Sequence, residues 1–179
     1  MANLCNFIMK IKGNRENIEM FLDALLHKGD IYIGSGAHLE GLEYDDEDDS
    51  AVIWAYCKRS IINALRNDAI YVRNAEINPH RKERRVTLEE ACKIFDVMGE
   101  TYSEEPFEGF AEHYLITPQE GVEISEEREY REYPIGEYKR NNMTKEDAER
   151  ELGITISKED WEGPDDFLIV GGFYAEFGI

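Results

Sequence analysis

The chain has 179 residues, 42% of them hydrophobic and 11% aromatic, which is enough apolar surface to bury a core in one large domain or two small ones. Twenty Lys and Arg against 39 Asp and Glu give a net charge of −19, which repels nucleic acid and anionic membranes and attracts basic surfaces. The composition therefore excludes a disordered chain and disfavours nucleic-acid binding by the protein as a whole.

The first elements predicted are a strand and a helix. Apolar and polar residues alternate over 7–12, the period of a strand with one buried face. Apolar residues then recur at helical spacing, so a helix is predicted over 14–28, with Asn14 as its cap and Gly29 at its end. A short strand over 31–33 is expected next.

The following segment is predicted to contain a loop and a buried strand. Residues 34–50 form the loop, whose last part is strongly acidic. The unbroken apolar run 51–57 predicts a strand buried on both faces. A short helix over 60–65, a strand over 69–72 and a basic loop over 80–85 are expected to follow.

A second amphipathic helix is predicted over 88–95, because the tetrapeptide Thr-Leu-Glu-Glu at its start is a capping box. Strands are expected over 97–103 and 110–117, and the meander continues through 122–124.

The C-terminal part is charged and rich in tyrosine. Thr144 is predicted to cap a short helix that ends at Leu152, with Gly153 behind it. Two terminal strands are predicted over 167–170 and 173–177.

Two helices packed on one face of an antiparallel sheet is the economical arrangement of these elements. The order β-α-β followed by α-β-β is typical of a ferredoxin-like α/β sandwich, a fold of the α+β class. We therefore predict such a domain, with insertions, over 1–135. A C-terminal extension over 136–179, with a helix and terminal strands, is predicted to pack on it.

The chain opens with Met-Ala-Asn-Leu-Cys-Asn, followed by the predicted strand and helix. This opening resembles that of a family of plasmid- and phage-encoded proteins with a ferredoxin-like domain. Members of that family commonly begin Met-Ala-Asn-Trp-Cys, so Leu4 stands in place of the tryptophan. The helix 88–95 and the segments 100–106 and 109–114 resemble the family's second helix and following hairpin. The resemblance covers roughly residues 1–135. It implies an accessory gene of a phage or mobile element and carries over no catalytic residue.

The three cysteines, Cys5, Cys57 and Cys92, are far apart and form no CxxC motif, so buried free thiols are predicted. Reduced cysteines suit the cytoplasm. The sequence has no basic-then-apolar leader and no apolar run of roughly 18 residues, so we expect neither export nor a membrane span.

The first candidate site is an acidic run. With Glu40 and Glu43 it carries seven negative charges and no positive one. Calcium binds several carboxylate oxygens, but the EF-hand pattern fails, since neither its central glycine nor its closing glutamate is present. A solvated, repelling loop and a partner-facing patch are the remaining interpretations. The predicted partner-binding residues of this run are Asp45, Asp46, Glu47, Asp48 and Asp49.

The second candidate site lies in 100–132, which holds eleven Glu against two Arg. Carboxylates spaced along a strand with aromatic residues between them can imitate a phosphate backbone to a protein that reads DNA. They can equally be the wet face of an antiparallel sheet. The predicted partner-binding residues here are Glu100, Glu104, Glu105, Glu108 and Glu112.

No catalytic, metal or cofactor site is predicted. His113 lies beside Glu112 and could form half of an acid–base pair, but no second histidine, cysteine nucleophile or phosphate-binding loop is near it in sequence. A strand histidine hydrogen-bonded to a neighbour is the simpler interpretation.

The charge reverses between residues 58 and 85, where eight basic residues stand against three acidic ones. These cations can pair with the protein's own carboxylates. The alternative is a small patch that contacts nucleic acid through Arg81, Lys82, Arg84 and Arg85.

These features favour a non-enzymatic acidic binding protein from a phage or mobile element, located in the host cytoplasm. Its expected partner is a basic, nucleic-acid-binding host defence protein such as a CRISPR effector nuclease, which it would inhibit as an anti-CRISPR-type DNA mimic. A metal-dependent hydrolase or nuclease using Asp/Glu and His113 is one alternative. A regulatory module that self-associates through a sheet edge is another, and the oligomeric state is left open.

Overall fold

The computed structural model describes residues 4–58, 60–66, 84–106 and 109–179. Its strands are β1 (Leu4–Lys12), β2 (Ile31–Ile33), β3 (His38–Asp45), β4 (Ser50–Lys58), β5 (Arg84–Val86), β6 (Met98–Glu105), β7 (Phe110–Thr117), β8 (Gly121–Tyr133) and β9 (Leu168–Gly171). Its helices are α1 (Arg15–Leu25), a π-helical turn (Ile62–Arg66), α2 (Leu88–Phe95), α3 (Ile135–Arg140), α4 (Lys145–Leu152) and α5 (Lys158–Glu162).

Seven of the strands form one sheet in the order β3-β4-β1-β6-β7-β8-β9, and every neighbouring pair is antiparallel. β2 and β5 form a separate parallel pair. The predicted α+β class is therefore confirmed, as are one large antiparallel sheet and the two predicted amphipathic helices, α1 and α2.

Both of these helices pack on one face of the sheet because each has one apolar face and a well-formed N-terminus. The Asn14 side chain accepts a hydrogen bond from the Asn17 amide at 2.9 Å, and the capping box of α2 is complete. The Phe21 and Phe95 rings meet edge to face with centroids 6.5 Å apart. The core beneath them is made of the inward residues of β1 and β4: Cys5, Phe7, Met9, Ile11, Ala51, Ile53, Ala55 and Cys57.

The strand predicted over 51–57 exists, but it is not buried on both faces. Residues of β4 alternate, so that Ile53 is fully buried whereas Trp54 is 37% exposed. The helices cover only one face of the sheet, which explains the alternation. The prediction of a loop over 34–50 is also wrong, because β3 occupies about half of it as an edge strand.

A second, smaller core lies in the C-terminal part, where α3, α4 and α5 stand between β8 and β9. Ile135, Ala148 and Ile156 are its buried centre. The helix predicted from Thr144 to Leu152 is confirmed, with Gly153 in the left-handed conformation behind it. The sequence prediction did not include α3 or α5, and β8 runs to Tyr133 rather than ending near 124.

The last eight residues cross the helix-free face of the sheet and are called the C-terminal strap (172–179). Gly171 and Gly172 have φ of 85° and 82°, and a Cβ on Gly171 would collide with the Glu129 carbonyl oxygen. These two glycines therefore turn the chain from β9 onto the sheet. The strap has no regular structure, so the strand predicted over 173–177 is wrong.

All three cysteines are free and buried, as predicted. No helix in the described part of the chain combines the length and apolarity needed to cross a bilayer. The strand predicted over 69–72 lies outside the described residues.

Candidate functional site

The acidic run closes the hairpin between β3 and β4 as a tight, internally hydrogen-bonded turn. Asp45 Oδ1 accepts hydrogen bonds from the amides of Glu47 and Asp48 at 3.0 and 3.2 Å. Asp49 has a φ of 47°, a left-handed conformation that Asp tolerates better than most residues. Its carbonyl accepts the Gly13 amide at 2.9 Å, which fixes the turn to the end of β1. The turn is thus held in one shape rather than being a loosely solvated loop.

Asp48 differs from its neighbours because its carboxylate is paired with two lysines of the same chain. Lys10 Nζ and Lys12 Nζ lie 2.6 and 2.9 Å from its two carboxylate oxygens. The hydrogen bonds from Lys10 and then Lys12 lower the pKa of Asp48 to about 2. Asp46 also has a cation beside it, Arg15 at 3.0 Å, but stays 85% exposed.

The remaining exposed carboxylates lie on the outermost strand, β3, and in the turn that follows it, and are here called the acidic edge. Leu39, Leu42 and Trp54 lie on or next to this strand, each 37% exposed. Among the described residues no strand pairs with the outer side of β3. The acidic edge consists of Glu40, Glu43, Asp45, Asp46, Glu47 and Asp49.

The second predicted set of carboxylates does not form a surface. Glu105 and Glu112 are completely buried, and Glu100 is only 3% exposed. They cannot contact a partner in this structure, so their predicted role is corrected. Glu104 is half-buried, and Glu108 lies outside the described residues.

Glu112 faces the helix side of the sheet and joins three parts of the chain. Its carboxylate accepts the Ile61 and Ile62 amides at 2.8 and 3.4 Å, the Ser103 hydroxyl at 3.2 Å and the Tyr114 hydroxyl at 2.8 Å. It therefore anchors the π-helical turn to β6 and β7.

Glu100, Tyr102 and His113 form a compact cluster on the opposite face. His113 Nε2 donates to Glu100 Oε1 at 3.0 Å, and the Tyr102 hydroxyl donates to the same oxygen at 3.1 Å. The Tyr102 and His113 rings are stacked, with centroids 4.2 Å apart. Burial, with the Glu100 charge second, raises the pKa of Tyr102 to about 12. His113 thus pairs with Glu100 across two strands and not with its sequence neighbour Glu112.

The C-terminal strap closes over this cluster. The Gly178 amide donates to Glu100 Oε2 at 2.6 Å, and the Tyr102 hydroxyl lies 2.9 Å from the Glu176 carbonyl oxygen. The Phe173 ring packs against both Tyr102 and His113. His113, Tyr102 and the Gly178 amide all hydrogen-bond to the Glu100 carboxylate, as expected of a buried carboxylate with a structural role.

Two carboxylates share the Tyr130 hydroxyl at the end of the same face. The hydroxyl donates to Glu132 Oε1 at 2.6 Å, and Glu104 lies within hydrogen-bonding reach of it. Burial is the main cause that raises the pKa of Glu104, and the Glu132 charge adds to it. Tyr130 and Glu132 are two residues apart on β8, but sequence spacing gives no signal for Glu104, which comes from β6 and is separated from β8 by β7.

Two of the four basic residues in the described part of the basic segment make contacts within the protein. Arg66 Nε lies 2.6 Å from Glu89 Oε1, and its guanidinium is 4.3 Å from the centre of the Tyr114 ring. Arg85 donates to the Gly34 carbonyl at 2.8 Å, whereas Arg84 is exposed. Arg81 and Lys82 lie outside the described residues.

Across the described ranges, no group of three or more His, Cys, Asp or Glu side chains is arranged to hold a metal ion. The sequence matches no protein-family model, and comparisons with curated proteins and with solved structures also gave no match.

Proposed function

We propose that this chain is a non-enzymatic acidic binding protein that occupies the basic, nucleic-acid-binding surface of another protein. The acidic edge is the observation that carries this proposal. Six exposed carboxylates follow one edge strand and its turn, and among them only Asp46 is ion-paired within the described residues. Complementary charge of this kind steers association with a basic partner.

The apolar residues beside the acidic edge support a protein partner. Leu39 and Leu42 lie at the border of the helix face of the sheet, and Trp54 lies on the opposite face, each partly exposed near the carboxylates. Partly exposed apolar side chains beside charged ones are common in protein–protein interfaces, and tryptophan is enriched at their hot spots. The fixed shape of the acidic turn favours binding as well, because less ordering entropy is lost.

We further propose that the N-terminal part is a ferredoxin-like sandwich, with the C-terminal residues as an extension. The order β3-β4-β1-β6, with α1 between β1 and the β3–β4 hairpin and α2 before β6, supports this fold. Together with the short motifs shared with phage and plasmid proteins, it favours a mobile-element origin and action in the host cytoplasm.

An anti-CRISPR-type inhibitor is the most specific form of the proposal. CRISPR effector nucleases hold their guide–target duplex in a positively charged channel that an acidic protein can occupy. The test is to mix the purified chain with a panel of guide-loaded effector nucleases and to measure complex formation and target-DNA binding. We expect a complex with at least one nuclease and loss of its DNA binding. A complex that keeps full DNA affinity, or no complex with any nuclease, would contradict this form of the proposal.

A further inference from the structure

A cavity of about 280 Å³ lies between the helix-free face of the sheet and the C-terminal strap. Ligand pockets for drug-sized molecules span roughly 300–1,000 Å³, so this cavity is suited to a single long side chain. Its distinctive lining residues are Trp54, Tyr102, Phe173, Glu40 and Glu104.

The walls of the cavity combine aromatic rings with negative charge. Gly41 lies opposite Trp54, and a Cβ at that position would be 3.1 Å from the indole ring, so the absence of a side chain lets the indole rest on the β3 backbone. Phe173 comes from the strap, and Tyr102 from the centre of the sheet. Aromatic faces attract cations, and they stack particularly well on the flat guanidinium of arginine.

The two charged residues in the described lining of the cavity, Glu40 and Glu104, are both carboxylates, and this lining includes no cation. Glu104 is half-buried and has a second carboxylate, Glu132, at the same Tyr130 hydroxyl. Two neighbouring carboxylates repel each other, and a positive charge that enters the cavity relieves that repulsion. An anionic or purely apolar ligand would gain nothing from these groups.

We propose that the cavity binds an arginine side chain of a basic partner, with its guanidinium between the aromatic rings and its charge at Glu104. This inference rests on the proposed function, because it adds an anchoring site to the partner surface. Glu40 belongs to both the acidic edge and the cavity, so one basic partner can lie along the edge and insert an arginine here.

The test is an NMR titration of the full chain with a blocked arginine amide, followed at the indole N–H of Trp54. The indole of Trp161, which lies in the C-terminal core, is the internal control. We expect a saturable chemical-shift change at the Trp54 indole only. Glu104→Gln should weaken the affinity for the arginine amide about tenfold, since a hydrogen bond to a charged group is lost. Trp54→Leu, followed through neighbouring amides, should weaken the affinity as well, whereas Glu146→Gln, at an exposed position on α4, should leave it unchanged.

Three comparisons decide the outcome. The neutral citrulline amide should not bind. Equal affinity for the citrulline amide and the arginine amide would overturn the proposal, and so would an unchanged affinity for the arginine amide in Glu104→Gln. Free arginine should bind less tightly than the blocked amide, because its own carboxylate is repelled; tighter binding of free arginine would overturn the assignment to a partner's side chain. If Trp54 does not shift although a nuclease is still bound through the acidic edge, the cavity proposal fails and the proposed function stands.

Discussion

Glu112 shows how a fully buried carboxylate is used as a structural part. Four donors from the π-helical turn, β6 and β7 converge on it, two of them backbone amides. A buried carboxylate is tolerated only when such donors replace the water it has lost.

Replacing Glu112 by Ala should lower the free energy of unfolding by about 3 kcal/mol or more, because several buried donors lose their acceptor. Urea denaturation measures this change. Glu127→Gln is the matched control, since Glu127 pairs with Glu112 across β7 and β8 but is exposed, and it should cost less than about 0.5 kcal/mol. Equal effects of the two substitutions would contradict the role given to Glu112.

Glu104 provides a test that depends on pH. Its pKa is raised in the folded state, so the folded protein binds that proton more tightly than the unfolded chain does. The carboxyl therefore costs stability as the pH rises above its unfolded value of about 4.3 and through its folded pKa. Glu104→Gln removes this cost.

We expect Glu104→Gln to raise the melting temperature relative to wild type more at pH 7 than at pH 4. Because any neutralised Glu relieves repulsion in a chain of net charge −19, the exposed Glu123→Gln on β8 is the reference. A gain at pH 7 no larger than that of Glu123→Gln would show that burial of Glu104 has no energetic consequence.

Glu100, Glu105 and Glu112 were wrongly predicted to be exposed because the sequence does not show which elements cover each face of the sheet. Alternation along β7 correctly places His113 and Glu112 on opposite faces. It does not say that the π-helical turn covers one face and the C-terminal strap the other. A glutamate on a covered face and one on a wet face look the same in sequence.

The C-terminal strap is held on the sheet by aromatic contacts and by hydrogen bonds to Glu100 and Tyr102. Phe173 contacts Tyr102, His113 and the Arg128 guanidinium, which lies 4.2 Å from its ring centre. Tyr174, the next residue, is 96% exposed. The two neighbours therefore form a matched pair for mutation.

Phe173→Ala should destabilise the protein by roughly 1–3 kcal/mol, since a partly buried ring loses its apolar and cation–π contacts. Tyr174→Ala should change stability by less than about 0.5 kcal/mol. Urea denaturation compares the two, and the Trp54 and His113 NMR signals report whether the strap has left the sheet. Wild-type stability and spectra for Phe173→Ala would mean that the strap does not depend on this ring.

Elements with a complete local signal were predictable. The capping box places α2 at its observed residues, and the turn residues on either side place β7 over 110–117. β3 was missed because an edge strand buries little and its sequence, HLEGLEYD, alternates poorly. The strap was read as a strand because glycines at positive φ redirect the chain without changing its apolar pattern.

The net charge of −19 comes from carboxylates in different environments: some are buried or ion-paired, and others are exposed. Several carboxylates are buried, and others are paired with lysines and arginines of the same chain. The acidic edge is a part of the described surface where carboxylates cluster beside exposed apolar side chains. Net charge alone would make any face equally suitable for a basic partner, whereas the proposed function assigns binding to this edge.

The most direct test compares two variants that each lose four negative charges. The edge variant carries Asp45→Asn, Asp46→Asn, Glu47→Gln and Asp49→Asn. The control variant carries Glu137→Gln, Glu146→Gln, Glu151→Gln and Glu159→Gln, all exposed positions in the C-terminal helices. Affinity for the nuclease that the wild type binds is measured for both at about 0.05 M and about 0.3 M salt, since screening weakens exposed charge pairs.

We expect the edge variant to lose affinity by about tenfold or more at low salt, with a slower association rate and little remaining salt dependence. The control variant should stay within about twofold of wild type, because its charges lie away from the interface. Equal losses of affinity in the two variants would show that binding depends on the net charge and not on the position of the carboxylates. An unchanged affinity in the edge variant would contradict the assignment of binding to the acidic edge.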